Sequence, residues 1–240
     1  MWAAATVELN TEKVTVSHSI GDCLKQLASY KCNIICYFHN LKFDGSFWID
    51  YLIKQGYKQA FVVNPSEQYS VRWLKEKDMD FRSFKYSISD KGQWYSITIR
   101  LGNGKFIELR DSLKLLPFSV KTIGESFKLK HRKLEMEYKG LRYAGCEITP
   151  EEIEYIKNDV LVIKEAIEFM FAEGHNKLTI GSCCMEEYKN IFEHETAYEW
   201  DMMFPNLYDF KIDERIYSVS NAGEYVKKSY KGGWCYAVKG

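Results

Sequence analysis

Two aspartates and a tyrosine occupy positions from which they could cut a phosphodiester bond with the help of metal ions. Asp44 lies just beyond the apolar run 33–38, where a predicted strand ends and a side chain can face a cleft. Tyr155 and Asp159 are four residues apart in a predicted helix, so they share one face of it. Two-metal hydrolysis needs converging carboxylates and a group that orients the attacking water. The spacing therefore predicts half of a two-metal nuclease site.

Each of these three residues also has a simpler structural interpretation. Asp44 precedes Gly45 and is equally suited to cap the N-terminus of the helix that follows. Tyr155 has the residue type of a core aromatic, and Asp159 has the polar neighbours of an ordinary solvated helix residue. The combination of the three, rather than any single member, favours the nuclease interpretation.

The elements that would position these residues form a mixed sheet with helices packed on it. Apolar periodicity, caps and turn residues predict a hairpin over 7–16, a helix from Ser19 to Tyr30, a strand over 33–38, a helix after Asp44, a hairpin around Gly102-Asn103-Gly104, and a helix from Thr149 to about Glu173. The apolar run 33–38 is continuous, which predicts a strand buried on both faces. Past Gly174 the chain changes to short helical pieces rich in aromatic residues.

Charge is balanced over the whole chain but is unevenly distributed along it. The net charge is zero, while 46% hydrophobic and 28% charged residues indicate an ordered globular protein. Segment 112–142 has eight basic and three acidic residues, and segment 147–173 has two basic and eight acidic residues. Cations that hold phosphates beside carboxylates that hold metals would suit a nuclease. Two solvated faces of opposite charge explain the same pattern.

The seven cysteines and the lengths of the apolar runs indicate in which part of the cell the protein is found. No two cysteines form a Cys-x-x-Cys pair, and scattered cysteines of odd number indicate reduced residues in a cytoplasmic protein. The histidines are isolated and have no zinc-ligand spacing. No apolar run approaches the length of a membrane span, so we predict no membrane association.

Three collinear segments resemble the protein-primed family B DNA polymerases of bacteriophages and linear plasmids: His39 to Phe47, Asp111 to Phe118, and Ile148 to Asp159. The resemblance implies an α/β fold, in which a ribonuclease-H-like 3′–5′ exonuclease domain precedes a mainly helical start of the polymerase domain. It also implies that Asp44 and Asp159 bind Mg²⁺ or Mn²⁺ and that Tyr155 orients the water. Asn40 and Phe43 would hold the 3′ end of a single DNA strand.

Further motifs extend the resemblance along the chain. Ser112-Leu113 resembles a motif that contacts single-stranded DNA and, in some members, the priming protein; a helix cap at Ser112 is the simpler alternative. Lys133 resembles a lysine that assists exonucleolysis, with Tyr138 nearby, although most isolated lysines lie on the surface. Tyr230, Gly232 and Gly233 resemble a Tyr-x-Gly-Gly motif that joins the exonuclease and polymerase domains and binds template, and a plain turn is the alternative.

Other family motifs do not occur in this sequence. No Asp-x-Glu precedes Trp2, and no polymerase palm motif with its aspartates follows Tyr230. We therefore expect part of a polymerase with an incomplete two-metal site that does not synthesise DNA by itself. We predict an exonuclease domain over 1–175 and the beginning of a polymerase domain over 176–240. The predicted protein is a monomer whose partners are a primer 3′ end and a terminal protein. The alternative function is a non-catalytic module that binds single-stranded DNA or the terminal protein.

Overall fold

The structure is a computed structural model that describes residues 3–64, 70–137, 140–143, 145–195 and 199–204. Its strands and helices follow one another as β1 (Ala4–Val7), β2 (Val14–Ser17), α1 (Ile20–Ser29), β3 (Ile34–Phe38), α2 (Leu41–Lys54), β4 (Lys58–Gln59), β5 (Phe61–Asn64), β6 (Ser70–Trp73), β7 (Ser83–Ile88), β8 (Trp94–Arg100), β9 (Phe106–Asp111), α3 (Val120–Ser126), α4 (Pro150–Ala172), α5 (Ile180–Glu195) and α6 (Trp200–Met203). Within these residues, no helix is both long enough and apolar enough to cross a membrane.

A five-stranded mixed sheet organises the first part of the chain, in the order β3-β9-β8-β7-β4. Strands β7, β8 and β9 are antiparallel, whereas β3 runs parallel to β9 with Phe38 opposite Asp111. The turn 101–105 joins β8 to β9 and contains Gly104 at a positive φ of 85°, which glycine adopts without strain. The predicted hairpin around Gly102-Asn103-Gly104 is therefore confirmed, and β1 with β2 confirms the first hairpin.

Two clusters of buried side chains stabilise this part of the chain. The first lies between the five-stranded sheet and helices α1 and α2, with Trp48, Leu52 and Phe84 completely buried at its centre. The second joins α3 and α4 through Ile123 and Val162, which are also completely buried. Burial of each such side chain contributes about 1.5–3 kcal/mol relative to its exposure.

The prediction that strand 33–38 is buried on both faces was wrong. The strand β3 lies at the edge of the five-stranded sheet, and its Ile35 side chain is 52% exposed. Ile34, Cys36 and Phe38 point to the opposite face and pack against the first buried cluster. A continuous apolar run identifies residues that favour a strand, but it does not specify how many neighbours the strand has.

The helix caps explain why two helices begin where the sequence predicts. The Ser19 hydroxyl oxygen accepts a hydrogen bond from the Asp22 N–H at 3.1 Å, and α1 follows directly. At α4, the Thr149 hydroxyl accepts from the Glu152 N–H while the Glu152 carboxylate accepts from the Thr149 N–H. This reciprocal pair, with Pro150 in the first turn, is worth about 1 kcal/mol. Both predicted helix starts are confirmed.

The chain divides into two compact units, 1–183 and 184–240. In the described part of the second unit, four aromatic rings lie against one another across α5 and α6: Tyr188, Phe192, Trp200 and Phe204. Their centroids are 4.4 to 6.5 Å apart, which is the range of favourable aromatic contacts. The assignment of 1–175 to an exonuclease domain and 176–240 to the start of a polymerase domain stays a prediction.

Candidate active site

The turn from β3 into α2 presents Asp44 from the first turn of a helix. The chain reverses at Asn40, which adopts the left-handed conformation (φ 73°, ψ 58°) that asparagine tolerates better than most residues. Asn40 occupies the N-cap position, so the alternative interpretation of Asp44 as the cap is wrong. Burial raises the pKa of the Asp44 carboxyl above its usual range. A negative charge in this first turn is stabilised by the helix dipole.

Tyr155, Asp159 and Lys133 form a compact group on one face of α4. The Lys133 Nζ lies 3.0 Å from the Asp159 Oδ2 and 5.0 Å from the centroid of the Tyr155 ring. Burial by itself would lower the pKa of the Lys133 ammonium, but hydrogen bonds with the Tyr155 hydroxyl and with Asp159 raise it above its usual range. Lys133 is therefore a half-buried cation held beside both predicted site residues, and not an isolated surface lysine.

The second oxygen of Asp159 is the clearest feature that suits a metal ion. Its Oδ1 is buried and has no hydrogen-bond partner among the described residues. A buried carboxylate oxygen without a donor is unfavourable, and a bound cation would compensate for it. Mg²⁺ is commonly held by one or two carboxylates, with water and phosphate oxygens in the remaining positions. The unpartnered Asp159 oxygen suits such a hard divalent cation, and Asp44 as a second ligand stays a prediction.

The described residues contain no group of three or more histidines, cysteines, aspartates and glutamates arranged to hold a metal. The two predicted ligands, Asp44 and Asp159, lie on separate elements, α2 and α4. One or two carboxylates are enough for Mg²⁺ when substrate phosphate provides further ligands.

A network of hydrogen bonds joins the ends of the parallel strands β3 and β9, and we call His39, Asp111 and Ser112 the strand-end network. The Asp111 Oδ1 accepts from the N–H groups of Asn40 and Leu113, both at 3.1 Å. The Ser112 Oγ lies 2.9 Å from the His39 Nδ1, and the His39 Nε2 lies 2.8 Å from the Phe118 carbonyl oxygen. Asp111, not Ser112, caps the short 3₁₀ turn that follows β9.

Electrostatics couple the strand-end network to the residues on α4. Burial is the largest influence and lowers the pKa of the His39 imidazole below its usual range. The charges of Asp111 and Asp159 act in the opposite direction, while that of Lys133 lowers the pKa further. Because Lys133 and Asp159 both act on His39, the end of β3 lies within electrostatic range of the α4 face.

The segment that contributes Lys133 is held on α4 by polar contacts spaced along the helix. We call them the α4 ladder: His131 with Glu165, the Arg132 carbonyl oxygen with Asn158, Lys133 with Asp159, and Arg142 with Glu152. The His131 Nδ1 lies 2.5 Å from the Glu165 Oε1, and the His131 N–H donates to the other oxygen of Glu165 at 3.2 Å. The ladder places Lys133 although its own segment has no regular structure.

The predicted DNA-binding residues differ in their accessibility. Phe43 is 66% exposed, and among the described residues its ring contacts one aromatic ring, that of Phe47, edge to face at 5.8 Å. Such a ring is available to stack on a base. Leu113 is half-buried, and Ser112 is completely buried with its hydroxyl engaged inside the protein. Tyr138, Tyr230, Gly232 and Gly233 lie outside the described residues.

Sequence patterns did not predict that Asp111 and His39 lie in one hydrogen-bond network beside Asn40. A sequence signal existed, because Asp111 immediately precedes the Ser112-Leu113 motif and His39 immediately precedes Asn40. The pairing of β3 with β9 is what brings these two positions together.

Comparison with known proteins identifies the class to which this fold and site belong. A family model described as DNA polymerase type B, organellar and viral, matches residues 28–145. The DNA polymerase of Bacillus phage Nf is 33% identical over 241 aligned residues, which cover 98% of this chain and 36% of that relative. The chain therefore belongs to the type B DNA polymerases of phages, as its motifs predict. It spans about a third of the length of the curated relatives that it matches.

Solved structures point to one particular polymerase as a structural relative. The phi29 DNA polymerase complexed with primer-template DNA and incoming nucleotides is 29% identical, with a TM-score of 0.73. That match covers 98% of this chain and 37% of the phi29 chain. The phi29 DNA polymerase complexed with single-stranded DNA matches with a TM-score of 0.68 over 93% of this chain and 35% of that one. These similarities confirm the predicted α/β fold class.

Proposed function

We propose that the first unit is the 3′–5′ exonuclease part of a DNA polymerase and that it binds the 3′ end of a single DNA strand. The observation that carries this proposal is the group formed by Lys133, Tyr155 and Asp159, in which one buried carboxylate oxygen is left without a donor. A hydroxyl, a cation and a carboxylate on one helix face are the groups needed to cut a phosphodiester with a bound metal. The relatives named above are DNA polymerases, which favours this function over a non-catalytic module.

In the proposed mechanism Asp44 and Asp159 would hold Mg²⁺ or Mn²⁺, which would supply water activation and stabilisation of negative charge on the phosphate. Asp159 uses its free Oδ1, because Lys133 occupies Oδ2. The Tyr155 hydroxyl orients the attacking water. The Lys133 ammonium is charged at neutral pH, since its contacts with Tyr155 and Asp159 outweigh burial and raise its pKa, and it attracts the scissile phosphate to the α4 face.

Substrate binding is assigned to the β3–α2 turn and to the basic segment 112–142. Phe43 stacks on a terminal base, and stacking of this kind contributes about 1–3 kcal/mol per base. Basic side chains of the segment bind phosphates without selecting a sequence. The phi29 polymerase, a structural relative, has been solved in complex with single-stranded DNA. A terminal protein as partner, a monomeric state and a cytoplasmic location stay predictions.

Metal binding tests the assignment of Asp44 and Asp159 directly. We expect the wild-type chain to bind Mn²⁺, and Asp44→Asn and Asp159→Asn each to weaken that binding, as measured by electron paramagnetic resonance. The matched controls are Asp50→Asn on α2 and Glu154→Gln on α4, because both side chains are exposed on the same two helices. Equal Mn²⁺ binding in all five proteins would contradict the assignment.

Nuclease activity tests the function itself. We expect slow 3′–5′ shortening of a 5′-labelled oligonucleotide with Mn²⁺, because two carboxylates act where the family motifs provide four acids. Asp159→Asn should reduce the rate further by at least about a hundredfold, as for loss of one well-placed electrostatic group. Glu154→Gln should leave the rate unchanged. Shortening that persists in Asp159→Asn would show that another site, or a contaminant, cuts the DNA.

A further inference from the structure

The Asp111 carboxylate is buried at the heart of the site, yet neither the proposed chemistry nor the proposed DNA contacts use it. The residue is 3% exposed and ends β9 directly opposite Phe38, the last residue of β3. Its Oδ1 accepts two backbone hydrogen bonds, one from Asn40 across the sheet and one from Leu113 in its own turn. Hydrogen bonds from backbone N–H groups to a carboxylate are stronger than those to neutral acceptors.

The bond to Asn40 determines how the chain leaves the sheet. Asn40 is the N-cap residue of α2, but its own side chain makes no capping hydrogen bond. The N–H groups at a helix start have no partner within the helix and need one elsewhere. Asp111 provides an acceptor from the neighbouring strand at this point. Phe43 and Asp44 follow within one turn, so the direction of both side chains depends on this contact.

Ser112 reinforces the same junction from inside the protein. The Phe118 carbonyl oxygen can only accept, so the His39 Nε2 carries a proton and donates to it. Ser112 has one hydroxyl hydrogen and two acceptors in reach, the His39 Nδ1 at 2.9 Å and the Phe38 carbonyl oxygen at 3.0 Å. When His39 is neutral, the hydroxyl donates to Nδ1. When His39 is protonated, Nδ1 donates to Oγ and the hydroxyl turns to Phe38.

We propose that Asp111 is a positioning residue of this site, and that Ser112 acts with it by joining the ends of β3 and β9. Asp111 holds the Asn40 turn, and the turn aims Phe43 at the strand and Asp44 at the metal. The proposal rests on the proposed binding of single-stranded DNA at Asn40 and Phe43, and adds the residue that holds them. Complete burial of Ser112 supports it, because its hydroxyl contacts His39 and the Phe38 carbonyl oxygen inside the protein.

The first measurement needs no DNA and no nuclease activity. Amide hydrogen exchange, followed by NMR, is compared in the wild-type chain, Asp111→Ala and Asp111→Asn. In Asp111→Ala both N–H groups lose their acceptor, and we expect the Asn40 and Leu113 amides to exchange at least about tenfold faster. Asp111→Asn keeps an Oδ1 that accepts, so it should restore the protection. The stability control is Ile107→Val in the same strand, which should leave both amides protected.

The second measurement is affinity for a fluorescent single-stranded oligonucleotide, by anisotropy, in the same four proteins. We expect Asp111→Ala to bind about tenfold more weakly, from the loss of two hydrogen bonds that hold the turn. Asp111→Asn and Ile107→Val should bind like the wild type. If Asp111→Ala does not fold, Ser112→Ala replaces it, since this change removes only the buried hydroxyl and should weaken DNA binding in the same direction.

The outcomes separate this proposal from the proposed function. A wild-type chain that does not bind the oligonucleotide would reject the DNA-binding function, while the amide exchange would still decide the role of Asp111. Unchanged protection of Asn40 in Asp111→Ala would overturn the positioning role. An equal loss of affinity in Ile107→Val would also overturn it, because the effect would then follow from stability alone.

Discussion

The strand-end network and the α4 ladder place the two halves of the proposed site by different physical means. In the strand-end network, side chains form hydrogen bonds with backbone groups at the ends of the paired strands β3 and β9. Its Asp111 and Ser112 are buried. The α4 ladder consists mostly of side-chain contacts from a segment without regular structure, and its Lys133 and Asp159 side chains, which form an ion pair, are 32% and 24% exposed. A hydrogen-bonded sheet therefore positions Asp44, whereas charge attraction positions Lys133.

This difference has consequences for the response to salt and to mutation. Ions in solution screen partly exposed charge pairs, but they act little on buried hydrogen bonds to the backbone. Partly exposed pairs also contribute little to stability, about 0–1 kcal/mol each. We therefore expect the α4 ladder to respond to ionic conditions while the strand-end network stays intact.

We expect the largest effect from a rise in salt concentration, which should weaken the affinity for single-stranded DNA. Each phosphate contact with a single strand adds about −0.7 to the slope of log affinity against log salt, so about four contacts would weaken binding several hundredfold over a tenfold rise in salt. Anisotropy titrations from 50 to 500 mM salt (about the range usual for such work) measure the slope. Protection of the Asn40 amide should not change over that range. A flat affinity would exclude the basic segment 112–142 as the DNA-binding surface.

Replacement of Lys133 should have the next largest effect and should be confined to the α4 side of the site. In Lys133→Met the Asp159 Oδ2 loses its partner, and we expect about a hundredfold lower rate of 3′–5′ shortening with Mn²⁺. The melting temperature should change little, because the pair is partly exposed. Lys133→Arg is the conservative comparison, and Lys157→Met removes a lysine elsewhere on α4. An equal loss of rate in Lys157→Met would point to overall charge instead.

We expect the smallest effect from mild acid, which should lower the stability of the folded chain through His39 of the strand-end network. The pKa of His39 is lowered in the folded chain, so the unfolded chain binds a proton first as pH falls below about 6.5. The His39 contribution to stability is therefore fully present above that pH and is lost between about 6.5 and the lower pKa of the folded state. The charged groups that act on His39 are Asp111, Lys133 and Asp159.

Urea unfolding of wild type and His39→Gln at a series of pH values measures this contribution. We expect the stability of the wild type to fall more steeply than that of His39→Gln below about pH 6.5, because glutamine does not titrate. Parallel curves for the two proteins would show that His39 has the same proton affinity in the folded and unfolded chains.

Local sequence signals predicted the helix starts and the turns well. Ser19 and Thr149 cap α1 and α4 because their hydroxyls need only a backbone N–H three residues further on. Gly104 provides the positive φ of the predicted hairpin turn. Such interactions span a few residues, so the residue types alone specify them. The family motifs likewise predicted the polymerase class that the relatives confirm.

Whether a given residue is buried, caps a helix or forms an ion pair depended on residues that are distant in the chain. The run 33–38 was predicted to be buried on both faces, but it forms an edge strand with Ile35 exposed. Asp44 was equally suited to be a cap, and the cap is Asn40. Only a resemblance to a family motif distinguished Lys133 from a surface lysine, and its contact with Asp159 at 3.0 Å depends on the packing of its segment against α4.

The sequence by itself determined where the helices begin, which turns reverse the chain and which family the motifs belong to, because each depends on neighbouring residues. Only the tertiary structure decided that Asp111 accepts the Asn40 N–H, that Ser112 is buried and that Lys133 pairs with Asp159. Asn40 and Asp111 are 71 positions apart in the chain, and Lys133 and Asp159 are 26 positions apart. Pairing of β3 with β9 and packing along α4 create these contacts, and no local pattern encodes which strands will pair.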